Sequence, residues 1–138
     1  MTKKRTPQQE KEFVRKKAVK LAKEISKKRD KYKCRYCGIG KPRRMVHSHH
    51  IFHEGLFKAM SADPDNLITL CASHHQGGQW MRSNDKFNFH NSPRESTEWL
   101  METYPQLYKK LKKRSLKIRP LSIIYWERKI EKLKLENT

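Results

Sequence analysis

The sequence predicts an α+β fold: a small, metal-stapled core set between a basic N-terminal helix and C-terminal helices. Three observations predict it. Helical periodicity occupies both ends of the chain, and the middle reads as turns and short paired strands. All three cysteines and six of the seven histidines lie between residues 34 and 75. Hydrophobic residues make up 35% and charged residues 34% of the 138 positions, so the apolar core must be small, and small cores often need a metal staple.

Taken in order, the chain divides into residues 1–30, 31–91 and 92–138. The first part carries an amphipathic helix over residues 8–30, with Val14, Ala18, Leu21 and Ile25 on one face and mostly Lys and Arg on the other. Residues 31–44 hold Cys34-Arg-Tyr-Cys37-Gly and the turn GIGKPRR, a knuckle followed by a loop. Residues 45–58 are expected to form a short hairpin or paired strands around four histidines. MSADPDN (60–66) is a loop by composition. LITLCASHHQ then suggests a strand end or turn, followed by a short helix beginning near Ala72–His75 and ended by the glycines of QGGQW.

Helix resumes after Ser92, an N-cap candidate followed by Pro93 and, at the capping-box position, Glu95. Pro105 divides this region into pieces of about 93–103 and 105–114. A last helix over 120–136 presents Ile123, Trp126, Ile130 and Leu133 at heptad-like spacing. That stripe predicts a packing face, within a monomer or as a dimer seam.

Charge narrows the partner. Thirty-three Lys and Arg against fourteen Asp and Glu give a net charge of +19 and a pI near 10.1. Such a balance predicts a polyanionic partner, nucleic acid first. The excess sits at the two ends and in the knuckle loop, making Lys16, Lys20, Lys23, Lys41, Arg43, Arg44, Lys112, Lys113 and Arg114 candidate phosphate contacts. No apolar run approaches membrane-spanning length, and the opening MTKKRTPQQEKEF has no hydrophobic stretch behind its basic residues. Both features point to a cytoplasmic protein, whose cysteines would stay reduced.

The metal staple follows from Cys34-x-x-Cys37 and Cys71-x-x-His74, two ligand pairs that suit a structural, tetrahedral zinc ion. His75, next to His74, then points elsewhere and is free to meet the histidines of MVHSHHIFHEG (45–55).

On HHI (49–51), DNL (65–67) and LCASHH (70–75), preceded by CRYC, the stretch 31–80 resembles the HNH endonucleases, whose fold is the ββα-metal motif. The resemblance implies His50 as general base, Asn66 as the middle residue of the motif, and His49 and His75 as ligands of one catalytic divalent cation. Many relatives have Asp before the base, whereas the nuclease domains of DNase colicins have His-His as here. That ligation favours Mn²⁺, Ni²⁺ or Zn²⁺ over Mg²⁺, which prefers oxygen ligands. A further family ligand would fall on Gln79, a weak donor. His47 and His53 read as flanking imidazoles, His47 on the same strand face as His49, and His90 as part of the turn before the capped helix. The late segment from Phe87 is similar in style to small phage proteins of the NinG/Rap recombination type, which act on branched DNA.

Together these features imply a metal-dependent endonuclease of a bacterial or phage-infected cell. It would hydrolyse double-stranded or branched DNA to 5′-phosphate and 3′-hydroxyl ends. The alternative is a non-catalytic, zinc-stabilised nucleic-acid-binding protein, which would have no use for His49, His50, Asn66 and His75 together. An RNA nuclease on the same scaffold is the third reading.

Overall fold

A computed structural model describes residues 3–77 and 87–137. The element order is α1 (Pro7–Arg29), β1 (Val46–His50), β2 (Leu67–Cys71), α2 (Ala72–His75), α3 (Pro93–Thr103), α4 (Pro105–Ser115) and α5 (Ile123–Glu136), with single 3-10 turns at Lys58–Met60 and Pro64–Asn66. Together with the cysteine and histidine cluster, this is the expected α+β arrangement.

α1 starts at a reciprocal capping box. Gln9 N–H donates to Thr6 Oγ1 at 3.2 Å, and Thr6 N–H donates to the Gln9 side chain at 2.9 Å. Its buried face is centred on Val14, Ala18, Val19 and Ala22, while Leu21 and Ile25 lie at the edge. The small alanines let the bulky side chains of α5 approach, and Trp126 and Leu133 are buried there. The α5 stripe is therefore spent on α1, within the chain. Two helices far apart in sequence form one cluster, which also takes in Leu67 of β2 and Ala62.

The two strands pair antiparallel, with Val46 opposite Cys71, His47 opposite Leu70, Ser48 opposite Thr69, His49 opposite Ile68 and His50 opposite Leu67. The expected pairing within 45–58 is replaced by this longer-range one. Residues 53–57 make turn bonds instead of a ladder, from Leu56 and Phe57 N–H to the His53 carbonyl. The apolar run Leu67–Cys71 offers a strand that can be buried on both faces, and all five of its residues are buried. Strand alternation then separates two clusters. Leu67 faces α1 and α5, while Ile68 and Leu70 face Phe89, Leu100 and Cys34.

The knuckle reaches the sheet through glycines and one buried carboxylate. Gly38 takes φ +79°, and a Cβ on Gly40 would lie 2.0 Å from the Tyr32 carbonyl oxygen, so no other residue fits there. Asp30, at the end of α1, accepts from Arg29 Nε and Nη2 at 2.9 Å each, from Arg35 Nη1 at 2.6 Å and from the Thr69 backbone N–H at 3.1 Å. Burial alone would push its carboxyl upward, but the two guanidiniums and the Thr69 N–H hold it below the ordinary aspartate value. This carboxylate joins α1, the knuckle and β2.

α3 and α4 fall near their expected limits, but the capping box at Ser92 does not form, because the Ser92 side chain makes no cap bond. Asn88 organises that turn instead, its side chain accepting from Asn91 N–H at 2.8 Å and its carbonyl from Ser92 N–H at 3.1 Å. α4 is pinned to the 63–65 turn by Arg114, which bonds Asp63 at 2.6 Å and Asp65 at 3.0 Å. Among the described residues, no helix is long and apolar enough to cross a membrane.

Replacing Asp30 with Ala should destabilise the fold by about 3 kcal/mol, because two guanidiniums and a buried N–H lose their common acceptor. Urea unfolding of the variant measures this. Since the native carboxyl titrates below the usual value of 3.8, wild type holds this contribution above pH 3.8 and loses it as the pH falls lower.

Candidate metal centre and histidine site

Cys34, Cys37, Cys71 and His74 bring their donor atoms within 4.8 Å of one another. Cys71 Sγ lies 3.2 Å from His74 Nδ1 and 3.9 Å from Cys37 Sγ, and Cys34 Sγ lies 3.8 Å from His74 Nδ1. These separations are too long for a disulfide, but two ligands of one tetrahedral zinc ion stand about 3.5 Å apart. The local fold explains the convergence. Gly38 N–H donates to the Cys34 carbonyl at 2.8 Å, turning the knuckle back on itself. Cys71 ends β2 and caps α2, placing His74 one turn further on.

The surroundings also favour thiolate. Arg44 Nη1 donates to Cys37 Sγ at 3.6 Å and Cys71 Sγ at 3.5 Å. Hydrogen bonding from Cys34, then from His74 and Arg44, pulls the Cys71 thiol well below its usual range, while the same sharing and burial push Cys34 up. Donor type, spacing and charge fit a structural zinc ion. Tyr36 covers the His74 ring at a 4.7 Å centroid distance, and Phe87 stacks on Tyr36 at 5.0 Å.

One residue along a helix is a rotation of about 100°, so His75 leaves the cysteine group and faces β1. Its ring centre lies 5.3 Å from that of His49 and 5.4 Å from that of His47. His47 and His49 share a strand face; Ser48 and His50 occupy the other. The His75 Nδ1 atom is buried with no hydrogen-bond partner among the described residues. Burial first, then the neighbouring histidine charges, lower His49 to about 3. Burial, then His47, His90 and Lys23, lower His75 to about 4. Burial and the nearby lysines lower His47 too. Neutral rings beside an orphaned nitrogen are what a divalent cation requires of imidazole ligands.

His50, on the opposite face, is fixed differently. Its Nε2 lies 2.8 Å from the Ser61 carbonyl oxygen. A carbonyl only accepts, so Nε2 carries the hydrogen and Nδ1 keeps its lone pair. Burial lowers the His50 pKa from its ordinary 6.5, against the opposing pull of the Ser61 carbonyl and Glu54. Asn66 ties the residue before Ser61 to Phe52. Its side-chain oxygen accepts from Phe52 N–H at 2.8 Å, and its amide donates to the carbonyls of Phe52 at 3.0 Å and Met60 at 3.1 Å. Both ends of this buried amide are used within the loop.

The remaining candidates divide. Lys16 and Lys20 are exposed on α1 and, with Arg15, Val19, Lys23 and Glu54, line a groove. Three of these groove residues, Arg15, Lys23 and Glu54, bear on the His50 charge. Lys41 and Arg43 are exposed in the knuckle loop, and Lys112 and Lys113 on α4. Arg44 is spent on the thiolates and Arg114 on Asp63 and Asp65, so both serve the fold. Exposed His53 accepts from Gly55 N–H at 3.1 Å. His90 N–H donates to the His75 carbonyl at 3.0 Å, tying the 87–91 segment to α2. Gln79 lies outside the described residues. The feature that sequence reasoning left without a role is His47. Strand alternation put it beside His49, but the position of the His75 ring between them required the register.

Purified protein should carry one tightly held zinc ion per chain. A strong chelator should remove it and collapse the amide NMR dispersion of residues 31–77, while Cys71→Ser should give the same spectrum without chelator. Dispersion that survives complete zinc removal would contradict a structural role.

No curated protein and no solved structure matches the chain. Residues 34–77 match the family model described as HNH endonuclease, a span that contains the four cysteine-group ligands, both strands and α2. Over that central stretch the chain is similar to the HNH endonuclease family.

Proposed function

We propose that the protein is a metal-dependent endonuclease that hydrolyses DNA phosphodiester bonds. The observation that carries this reading is the tautomer of His50, a neutral imidazole whose Nε2–H is occupied by Ser61 and whose Nδ1 is left to accept a proton.

In this reading His50 Nδ1 takes a proton from the attacking water as its oxygen bonds to phosphorus. The bond from phosphorus to the 3′ oxygen breaks, leaving a 5′-phosphate and, once protonated, a 3′-hydroxyl. A divalent cation held by His49 and His75 would supply charge neutralisation at the phosphate and the leaving oxygen. Asn66 holds the loop that holds Ser61, and the Lys16, Lys20 and Lys23 groove holds the backbone phosphates on the His50 side. Phosphate contacts of this kind position a duplex without reading its sequence. Branched, nicked or flapped, and plain duplex DNA are all candidate substrates in this reading.

The test compares wild type with His50→Ala on supercoiled plasmid and on a four-way junction, with Mn²⁺ or Mg²⁺. Wild type should nick or cut, and the variant should lose about two to four orders of magnitude in rate. A wild type that binds but never cuts would leave the binding-protein reading. A variant that cuts normally would remove His50 from the chemistry. Because His50 must be neutral to act and its pKa lies below 6.5, the acidic limb of the rate profile should fall below pH 6.5.

Binding should weaken steeply with salt. Lys16→Ala and Lys20→Ala should each lower the slope of log affinity against log salt by about one, equally for unrelated sequences. Fluorescence anisotropy across a salt series reads this directly.

A further inference from the structure

We propose that His47 is a third protein ligand of the divalent-cation site, supplied by β1 two residues before His49. The inference rests on the cation reading above and departs from the family arrangement, which places the further ligand on the helix.

α2 stops short of the position that a helical ligand would need. A ligand four residues after His75 stands beside it only if the helix continues through residue 79. Here α2 ends at His75, and Gly77 adopts φ +67°, a left-handed conformation that stops an α-helix. β1 offers a donor instead. His47 and His49 lie on the strand face turned toward α2, with the His75 ring between them.

The distances fit ligation. Two imidazoles bound to one tetrahedral ion, each at about 2.1 Å, have ring centres about 5 Å apart. The two observed separations are 5.3 and 5.4 Å. Among the described residues only the cysteine group has all its donors within 4.8 Å, so the imidazole trio is the more open set. Its rings turn about χ2, a broad torsion, to converge on an ion. The buried, unpartnered Nδ1 of His75 is the atom at which they would meet. Three neutral imidazoles leave the cation its full charge and an open side for a phosphate oxygen. They also select Mn²⁺, Co²⁺, Ni²⁺ or Zn²⁺ over Mg²⁺.

The experiment titrates Co²⁺ into the zinc-loaded protein and reads affinity by calorimetry. In wild type, the imidazole protons of His47, His49 and His75 should all show the large contact shifts of a coordinated ring, beyond the through-space shifts of nearby protons, a readout that needs no variant. His47→Ala and the larger His47→Gln should each weaken Co²⁺ binding by about tenfold or more. His53→Ala should not. Circular dichroism confirms that each zinc-loaded variant is folded. Weakening in His49→Ala and His75→Ala, with His47 unshifted and its variants binding normally, overturns the proposal and leaves the cation site standing. So does weakening in Gln79→Ala in place of His47→Ala. Binding unchanged in all three histidine variants overturns the cation site itself.

Discussion

The convergence of Cys34, Cys37, Cys71 and His74 is the constraint on which the rest of the molecule depends. The two pairs come from opposite ends of a central segment whose own apolar content is slight, and they meet because β2 runs straight into α2 at Cys71. Once His74 is committed to that group, the helix rotation decides where His75 points. The position of the histidine site is thus a consequence of the staple. A zinc ion held here would contribute folding free energy that a small core cannot supply by burial. The Asp30 carboxylate supports the same junction from the other side, tying the end of α1 to Arg35 in the knuckle and to Thr69 in β2.

A strand of five residues does two separate jobs because its side chains alternate. The face carrying His47 and His49 turns to α2, and the face carrying Ser48 and His50 turns to α1. Ser48 donates to the Lys23 carbonyl at 3.2 Å and lies 3.1 Å from the Ser26 hydroxyl, which fixes α1 against that face. The helix that supplies the basic groove is therefore held by hydroxyl contacts one residue from His50. In the proposed reading, packing would couple phosphate binding to proton acceptance.

Much of this was legible in the sequence, and what was not has physical reasons. Cys34, Cys37, Cys71 and His74 could be grouped because metal-ligand spacing is a local property of turns and helix starts. His49, His50, Asn66 and His75 could be grouped only through the resemblance, since nothing local links residue 50 to residue 75. The strand partner of β1 was misplaced because alternation marks a strand without naming its neighbour, and a turn at His53 broke the nearer pairing. Arg44 and Arg114 read as free cations because sequence shows charge but not the thiolates or aspartates that claim it. The Ser92 cap failed for a related reason: Asn88 reached the same turn first.

The same distinction separates the two roles assigned to histidine. A ring destined for a metal must be neutral and poor in competing partners, and burial achieves both at His49 and His75. A ring destined to take a proton must have one nitrogen occupied and the other free, and burial alone cannot do that. His50 meets the requirement through a carbonyl held by a loop whose closure depends on Asn66. In the proposed reading, Asn66, an amide with no atom to spare for substrate, would thereby set which nitrogen of His50 acts. Exchanging Asn66 for Asp would keep the acceptor to Phe52 N–H but replace a donor with a second acceptor facing two carbonyls. The loop would open, the Ser61 carbonyl would leave Nε2, and the tautomer would no longer be fixed.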